Sequence, residues 1–170
     1  YLGTDNMLLW NNKNITDPII EKINIKRNWL NQSIDVIVQE RERYAVWCLE
    51  SDCFWITDEG YILEKTPKSE WQLINTITSN QKTNLEPGDR ILLTEEASYL
   101  KNVLTILGNL NLSILNINYD IETLELTVKI SDGPKLLFSL RSNPALTVSA
   151  LPEIIKNNFN SLEYIDFRTE

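Results

Sequence analysis

Cys48 and Cys53 are the only two thiols of a 170-residue chain, set five positions apart in the aromatic stretch "YAVWCLESDCFWIT". Two thiols at this spacing suggest half of a zinc site, a dithiol redox centre, or a staple across a hairpin. A structural zinc ion takes four ligands, and the chain offers no histidine and no third cysteine. A redox dithiol is normally C-x-x-C at a helix start, whereas this is C-x-x-x-x-C between strand-like runs. What stays open is a structural disulfide or a pair of buried free thiols.

Carboxylate pairs are the other groups that could do chemistry: Asp58 with Glu59, Glu95 with Glu96, and Glu40 with Glu42. Each has a simpler explanation. The first falls in a turn, the second in the first turn of a helix where negative charge suits the dipole, the third on a solvated strand face. Without histidine there is no Ser-His or Cys-His nucleophile pair. Only five glycines are present, and none forms a phosphate-cradling GxGxxG or GxxxxGK[ST] loop. No catalytic residue, metal ligand or cofactor site is expected.

Composition bounds the partners. Hydrophobic residues make up 42% and charged residues 24%, an ordinary globular balance. A net charge of -8 disfavours nucleic acid and an electrostatic dock on anionic lipid. No stretch holds the 18 or so nearly uninterrupted apolar residues of a membrane span. The chain opens on Tyr1 rather than methionine, as expected of an excised fragment.

The elements that must hold these residues follow from periodicity. Asp17 with Pro18 reads as the cap of a short helix. Ile23 and Ile25, then Ile34, Val36 and Val38, alternate with polar residues and read as a hairpin over the turn "RNWLNQS", with Trp29 exposed at its loop. "YAVWC" and "CFWIT" are two strands about a short loop, and "TDEGYIL" is a turn and a third strand. Trp47, Trp55 and Trp71 are assigned to the core. Residues 65–89 read as mostly loop, with a short strand at Trp71–Ile74. Thr94 opens a helix whose stripe is Ala97, Leu100, Val103, Leu104 and Leu107, and Gly108 stops it. Three antiparallel strands follow, with Leu115, Ile117, Tyr119 and Ile121 inward on the first. A second helix is expected over Ala150–Phe159, with Leu151, Ile154 and Ile155 inward, and "LEYIDFR" is a closing strand. The fold class is α+β, a small front piece and a mixed, mostly antiparallel sheet carrying two helices. The run Glu40–Arg43 reads equally as a partner-facing charge patch or as the linker between the two.

Four segments carry a resemblance. "RNWLNQSIDVIVQERERYAVW" resembles the hairpin and junction of the bacterial cell-division proteins FtsQ/DivIB, through Arg27, Trp29, Ile34, Val36, Val38, Glu40, Arg41, Ala45 and Trp47. "WITDEGYIL", with Asp58 and Gly60, is similar to that family's strand and turn. "SDGPKLLFSL" and "EYIDFR" resemble two further strands, the last through Tyr164, Ile165, Asp166, Phe167 and Arg168. Leu30 and Arg43 stand where the family usually has proline.

The resemblance implies the second half of a POTRA domain over residues 1–43 and an FtsQ/DivIB-type β domain over 44–170. It implies a non-catalytic divisome scaffold on a single-pass membrane anchor, with this region extracytoplasmic and the anchor outside this chain. The partners implied are FtsB- and FtsL-like proteins, paired by strand addition at an edge that Phe167, Arg168 and Thr169 begin, with Ile165 and Phe167 inward and Arg168 outward. In that compartment Cys48 and Cys53 can oxidise. Their short loop suits the Cα separation of roughly 4.4–6.8 Å that a bridge requires, so the resemblance favours the staple. Two other functions compete. One is a POTRA-bearing subunit of a secretion or outer-membrane assembly system, whose barrel these few short strands do not supply. The other is a cell-wall hydrolase, which lacks its nucleophile-base pair or metal.

Overall fold

Alternating β-branched and aromatic side chains make ten strands, and a computed structural model describes them in residues 17–50, 52–68, 74–81, 84–110, 112–156 and 159–168. The chain divides into two compact units between Glu42 and Arg43.

The described part of the first unit is a two-stranded antiparallel ribbon, β1 (Ile20–Asn28) and β2 (Ser33–Glu40). Its register sets Ile23 opposite Val38, Ile25 opposite Val36 and Arg27 opposite Ile34, so the aliphatic positions share one face. The helix expected at Asp17 does not form. Asp17 instead closes a turn, its carboxylate accepting the N–H of Ile19 at 3.0 Å and its carbonyl that of Ile20 at 3.1 Å. Asp side chains compete for nearby backbone donors in this way, and the chain enters β1 directly.

The second unit is an eight-stranded sheet in the order β10-β9-β8-β7-β6-β3-β4-β5. β3 (Ala45–Cys48), β4 (Cys53–Ile56) and β5 (Ile62–Thr66) form one antiparallel run. β7 (Ile114–Asp120), β8 (Glu125–Ile130) and β9 (Lys135–Ser139) form the other. β6 (Thr76–Ser79) joins the two runs, parallel to both β3 and β7. The sequence places a strand of this region at Trp71–Ile74. Residues 69–73 lie outside the described residues, Ile74 is in a bend, and the central strand is Thr76–Ser79. A parallel strand needs a crossover, and α1 (Thr94–Asn109) supplies it between β6 and β7.

The helix buries Ala97, Leu100, Val103, Leu104 and Leu107, the stripe read from the sequence. Leu93 stands at its N-cap and offers no capping oxygen, but the Glu96 carboxylate reaches back to the Leu93 N–H at 2.8 Å. Gly108 lies within the last turn and Leu110 caps it. Of the helix expected over Ala150–Phe159, Leu151–Lys156 forms α3 and Phe159 begins a 3-10 turn (Phe159–Ser161), and a separate short helix, α2 (Ala145–Val148), precedes them. Pro152 has no N–H for the Val148 carbonyl, so one continuous helix cannot cross this point. Leu151 is buried, while Ile154 and Ile155 are half-buried against the core.

One face of the sheet meets the helices in a single core that includes Trp47, Phe54, Ile77, Ile117, Leu126, Val128, Leu136 and Phe138. The opposite face carries a smaller cluster of Val46, Cys48 and Cys53, with Trp55 and Ile74 against it. Leu115 does not point inward as expected. The register slips between Ile114 and Asn116, and this bulge leaves Leu115 exposed. Gly60 closes the turn into β5 at φ +84°, and a Cβ there would stand 2.9 Å from the Leu92 Cβ.

Candidate functional site

A sheet of eight strands in a row has two edges, and they are finished differently. At the β5 end the chain returns to cover its own backbone. Ile62 N–H donates to the Asp89 carbonyl at 2.9 Å, Gly88 N–H to the Ile62 carbonyl at 2.8 Å, and Ile91 N–H to the Gly60 carbonyl at 2.9 Å. Farther along, Glu64 holds the Arg43 guanidinium at 2.6 Å, Lys65 holds Asp52 at 3.2 Å, and Pro67 ends the strand region. Charge and proline on an edge discourage further pairing.

The other edge is β10 (Tyr164–Asp166), parallel to β9, with Ile165 opposite Leu136. Glu163 carbonyl accepts the Lys135 N–H at 3.1 Å, and Phe167 N–H donates to the Leu137 carbonyl at 2.8 Å. In a parallel ladder alternate residues turn their backbone groups to the neighbour. Residues 163, 165 and 167 therefore face β9, and the N–H and C=O of Tyr164 and Asp166 face the side with no strand among the described residues. Tyr164 and, just before it, Leu162 are exposed there.

Phe167 and Arg168 extend this edge in opposite directions, as the closing motif implies. Phe167 is buried and stacks on Phe138, the rings 5.2 Å apart and nearly coplanar in orientation at 6°. Ile165, half-buried, packs on the same core. Arg168 lies on the outer face in a clasp that joins strands. Its Nε and Nη2 donate to Asp166 Oδ1 and Oδ2 at 2.9 and 2.6 Å, and its Nη1 donates to Glu125 Oε2, at the start of β8, at 2.9 Å. Asp166 Oδ1 also accepts the Arg168 backbone N–H at 2.9 Å. These hydrogen bonds from Arg168 hold the Asp166 carboxyl down to about 2, and the same contacts raise the guanidinium. Thr169 lies outside the described residues.

The closing motif includes Asp166 but assigns it no partner, and Glu125 stands outside the motif. Strand periodicity already carried a signal for the first, since residues two apart share a face. Nothing local relates Glu125 to Arg168, because they meet only across β9.

Cys48 and Cys53 form a disulfide, with Cα atoms 4.0 Å apart in directly opposed register on β3 and β4. Leu49 N–H to the Asp52 carbonyl at 2.8 Å closes the loop beside them. The cysteines therefore occupy a non-hydrogen-bonded pair, where opposed side chains approach most closely.

In two of the carboxylate pairs one member has a structural partner. Asp58 meets Lys101 at 2.5 Å, and Glu96 serves the helix cap. Asp58, Glu59, Tyr61, Arg90, Thr94, Ser98 and Lys101 line an open cleft of about 390 Å³. In it Arg90 lies over the Tyr61 ring at 5.2 Å and bonds the Leu92 carbonyl at 3.0 Å. Burial pushes the Tyr119 hydroxyl well above its ordinary range, with Glu96 and Asp120 adding to the shift, so it stays protonated against Trp47. No group of three or more metal-ligating side chains occurs among the described residues.

No protein-family model matches the chain, and no curated protein matches it.

Proposed function

We propose that the chain is part of a non-catalytic scaffold of bacterial cell division and septum formation, of the FtsQ/DivIB kind. In this reading its 43–170 unit docks an FtsB- or FtsL-like partner by strand addition along β10. The observation that carries the reading is the contrast between the two sheet edges. One is closed by residues 88–91 and by charged pairs, while the other presents the backbone groups of Tyr164 and Asp166. Open backbone groups give an incoming strand its affinity, and the alternating side chains beside them give specificity. The Cys48–Cys53 bond supports an oxidising compartment, the extracytoplasmic side of a membrane to which an anchor elsewhere in the parent protein would hold this region.

Calorimetric titration with an FtsB-like peptide tests the reading. Tyr164→Pro removes an N–H that points away from β9, so β10 stays paired while an incoming strand loses a donor. One net hydrogen bond is worth about 1 kcal/mol, so binding should weaken roughly five- to tenfold. Extending the chain by about ten residues past Glu170, a strand and its turn, should tighten it. Binding indifferent to Tyr164→Pro, with the unfolding midpoint unchanged, would place the docking edge elsewhere.

A further inference from the structure

Lys129 of β8 and Lys135 of β9 stand directly opposite each other in the antiparallel register. Their neighbours Val128, Ile130 and Leu136 are buried in the core, so both lysines project from the other face of the sheet, where both are exposed. Directly opposed side chains have Cβ atoms roughly 4.5–5.5 Å apart, and like charges in that relation destabilise a sheet. Among the described residues no carboxylate answers them, since neither ammonium makes an ion pair. Asp132, in the turn that joins the two strands, pairs with neither, while Asp166 and Glu125 are held by Arg168. Glu163 lies two residues before the inward Ile165, on the opposite side of that strand from Tyr164.

The register continues the row on both sides. Asn116 of β7 lies opposite Lys129, and Tyr164 of β10 lies opposite Lys135, both exposed. Four neighbouring strands therefore present, in one line, an amide, two ammonium groups and a phenol. In a chain of net charge -8, two unanswered cations side by side are an exception that no contact within the described fold offsets.

We propose that this row is a docking site for an acidic peptide segment of a protein partner, laid across the strands. Two carboxylates of the segment pair with Lys129 and Lys135, and Asn116 and Tyr164 offer hydrogen bonds at either end of the row. Neighbouring strands lie about 4.8 Å apart, and the flexible lysine stems spread to the roughly 6.8 Å between alternate side chains of an extended segment. The occupant follows from charge. A bilayer or a nucleic acid brings its charge against the whole surface of a chain of net charge -8. A short acidic segment brings it only to the two cations, because exposed charges farther than about 10 Å are screened. The row ends at the β10 edge, but it lies on a face of the sheet, so the inference stands without strand addition there.

The test is a nuclear magnetic resonance titration of the full 170-residue chain with a terminally blocked tetraglutamate peptide at low salt. Resonances of Lys129, Lys135 and Tyr164 should shift saturably, and tetraglutamine should leave them in place. Lys129→Gln and Lys135→Gln should each weaken binding roughly two- to fivefold, as expected of exposed ion pairs. Lys135→Glu separates a binding role from a structural one. It sets opposite charges across the β8–β9 pair, so it should raise the urea midpoint of unfolding while abolishing tetraglutamate binding. Absence of a saturable shift, shifts centred away from this row, or binding unchanged by Lys135→Glu overturns the proposal. So does a lowered midpoint in Lys135→Glu, which would show that the lysines do not repel. Inorganic phosphate or phosphatidylglycerol vesicles that shift the same resonances as strongly would overturn the assignment to a peptide. Tyr164→Pro should leave the lysine shifts in place, which separates failure here from failure of strand addition.

Discussion

Arg168 gathers two carboxylates and its own backbone N–H into one clasp, and the energetics of that clasp depend on pH. The Asp166 carboxyl is held near 2, below its ordinary 3.8. A depressed folded-state value contributes stability that is fully present above the ordinary value and is lost as pH falls through about 2. The side chains are just over a third exposed, so solvent screening limits the contribution to about 1 kcal/mol or less. Asp166→Asn should therefore be slightly less stable in urea at neutral pH, with the gap closing as the pH is lowered toward 2. An equal gap across that range would show that the ion pair contributes nothing. The disulfide acts on the unfolded chain instead. Closing so short a loop is worth about 2 kcal/mol in the loop-entropy view, so Cys48→Ala with Cys53→Ala should lower stability by about that amount. Intact-mass analysis with alkylation should find two thiols in the native wild-type chain only after reduction. Two thiols alkylated without reductant would mean that the bond does not form.

Neighbours decide how firmly each element is held. β8 lies between β7 and β9 with Leu126, Val128 and Ile130 buried, whereas Ile34, Val36 and Val38 of β2 stay about half exposed. A two-stranded ribbon is marginal by itself. Amides of residues 34–38 should exchange at least about tenfold faster than those of 125–130, measured by hydrogen exchange on monomeric protein. Equal protection would mean that the ribbon's aliphatic face is covered in solution. The same difference in context explains what was legible in the sequence. The α1 stripe and the β7–β9 meander follow from periodicity because each buries one face against one layer. β6 escaped because it has four residues and one large aliphatic, Ile77, among threonine and serine. Its strand character comes from two neighbours distant in sequence. Leu115 was misjudged because a bulge resets the alternation, and a period-two reading carries no mark of it. The helix expected over Ala150–Phe159 corresponds to α3, whereas α2 went unread because four residues are too few to show a helical period.

At the scale of the molecule, the closing motif gave the orientation of Phe167 and Arg168 correctly, because inward and outward alternate on any strand. It could not give the parallel pairing of β10 with β9, which depends on the helices between them turning the chain around. That pairing determines which backbone groups remain open, so Tyr164 and Asp166, not the motif's last residues alone, define the edge. The pairing also has a consequence in time. Residues 43–139 can complete seven neighbouring strands before β10 has a chain to form from, and β10 must then return across the α2–α3 connection. Domains assemble during synthesis from the N-terminal side, and contacts distant in sequence close slowly. In the proposed reading, the docking edge is thereby the last part of this unit to be completed. A nascent or truncated copy would end its sheet at β9 instead, and would lack the backbone groups of Tyr164 and Asp166 that the proposed docking edge presents.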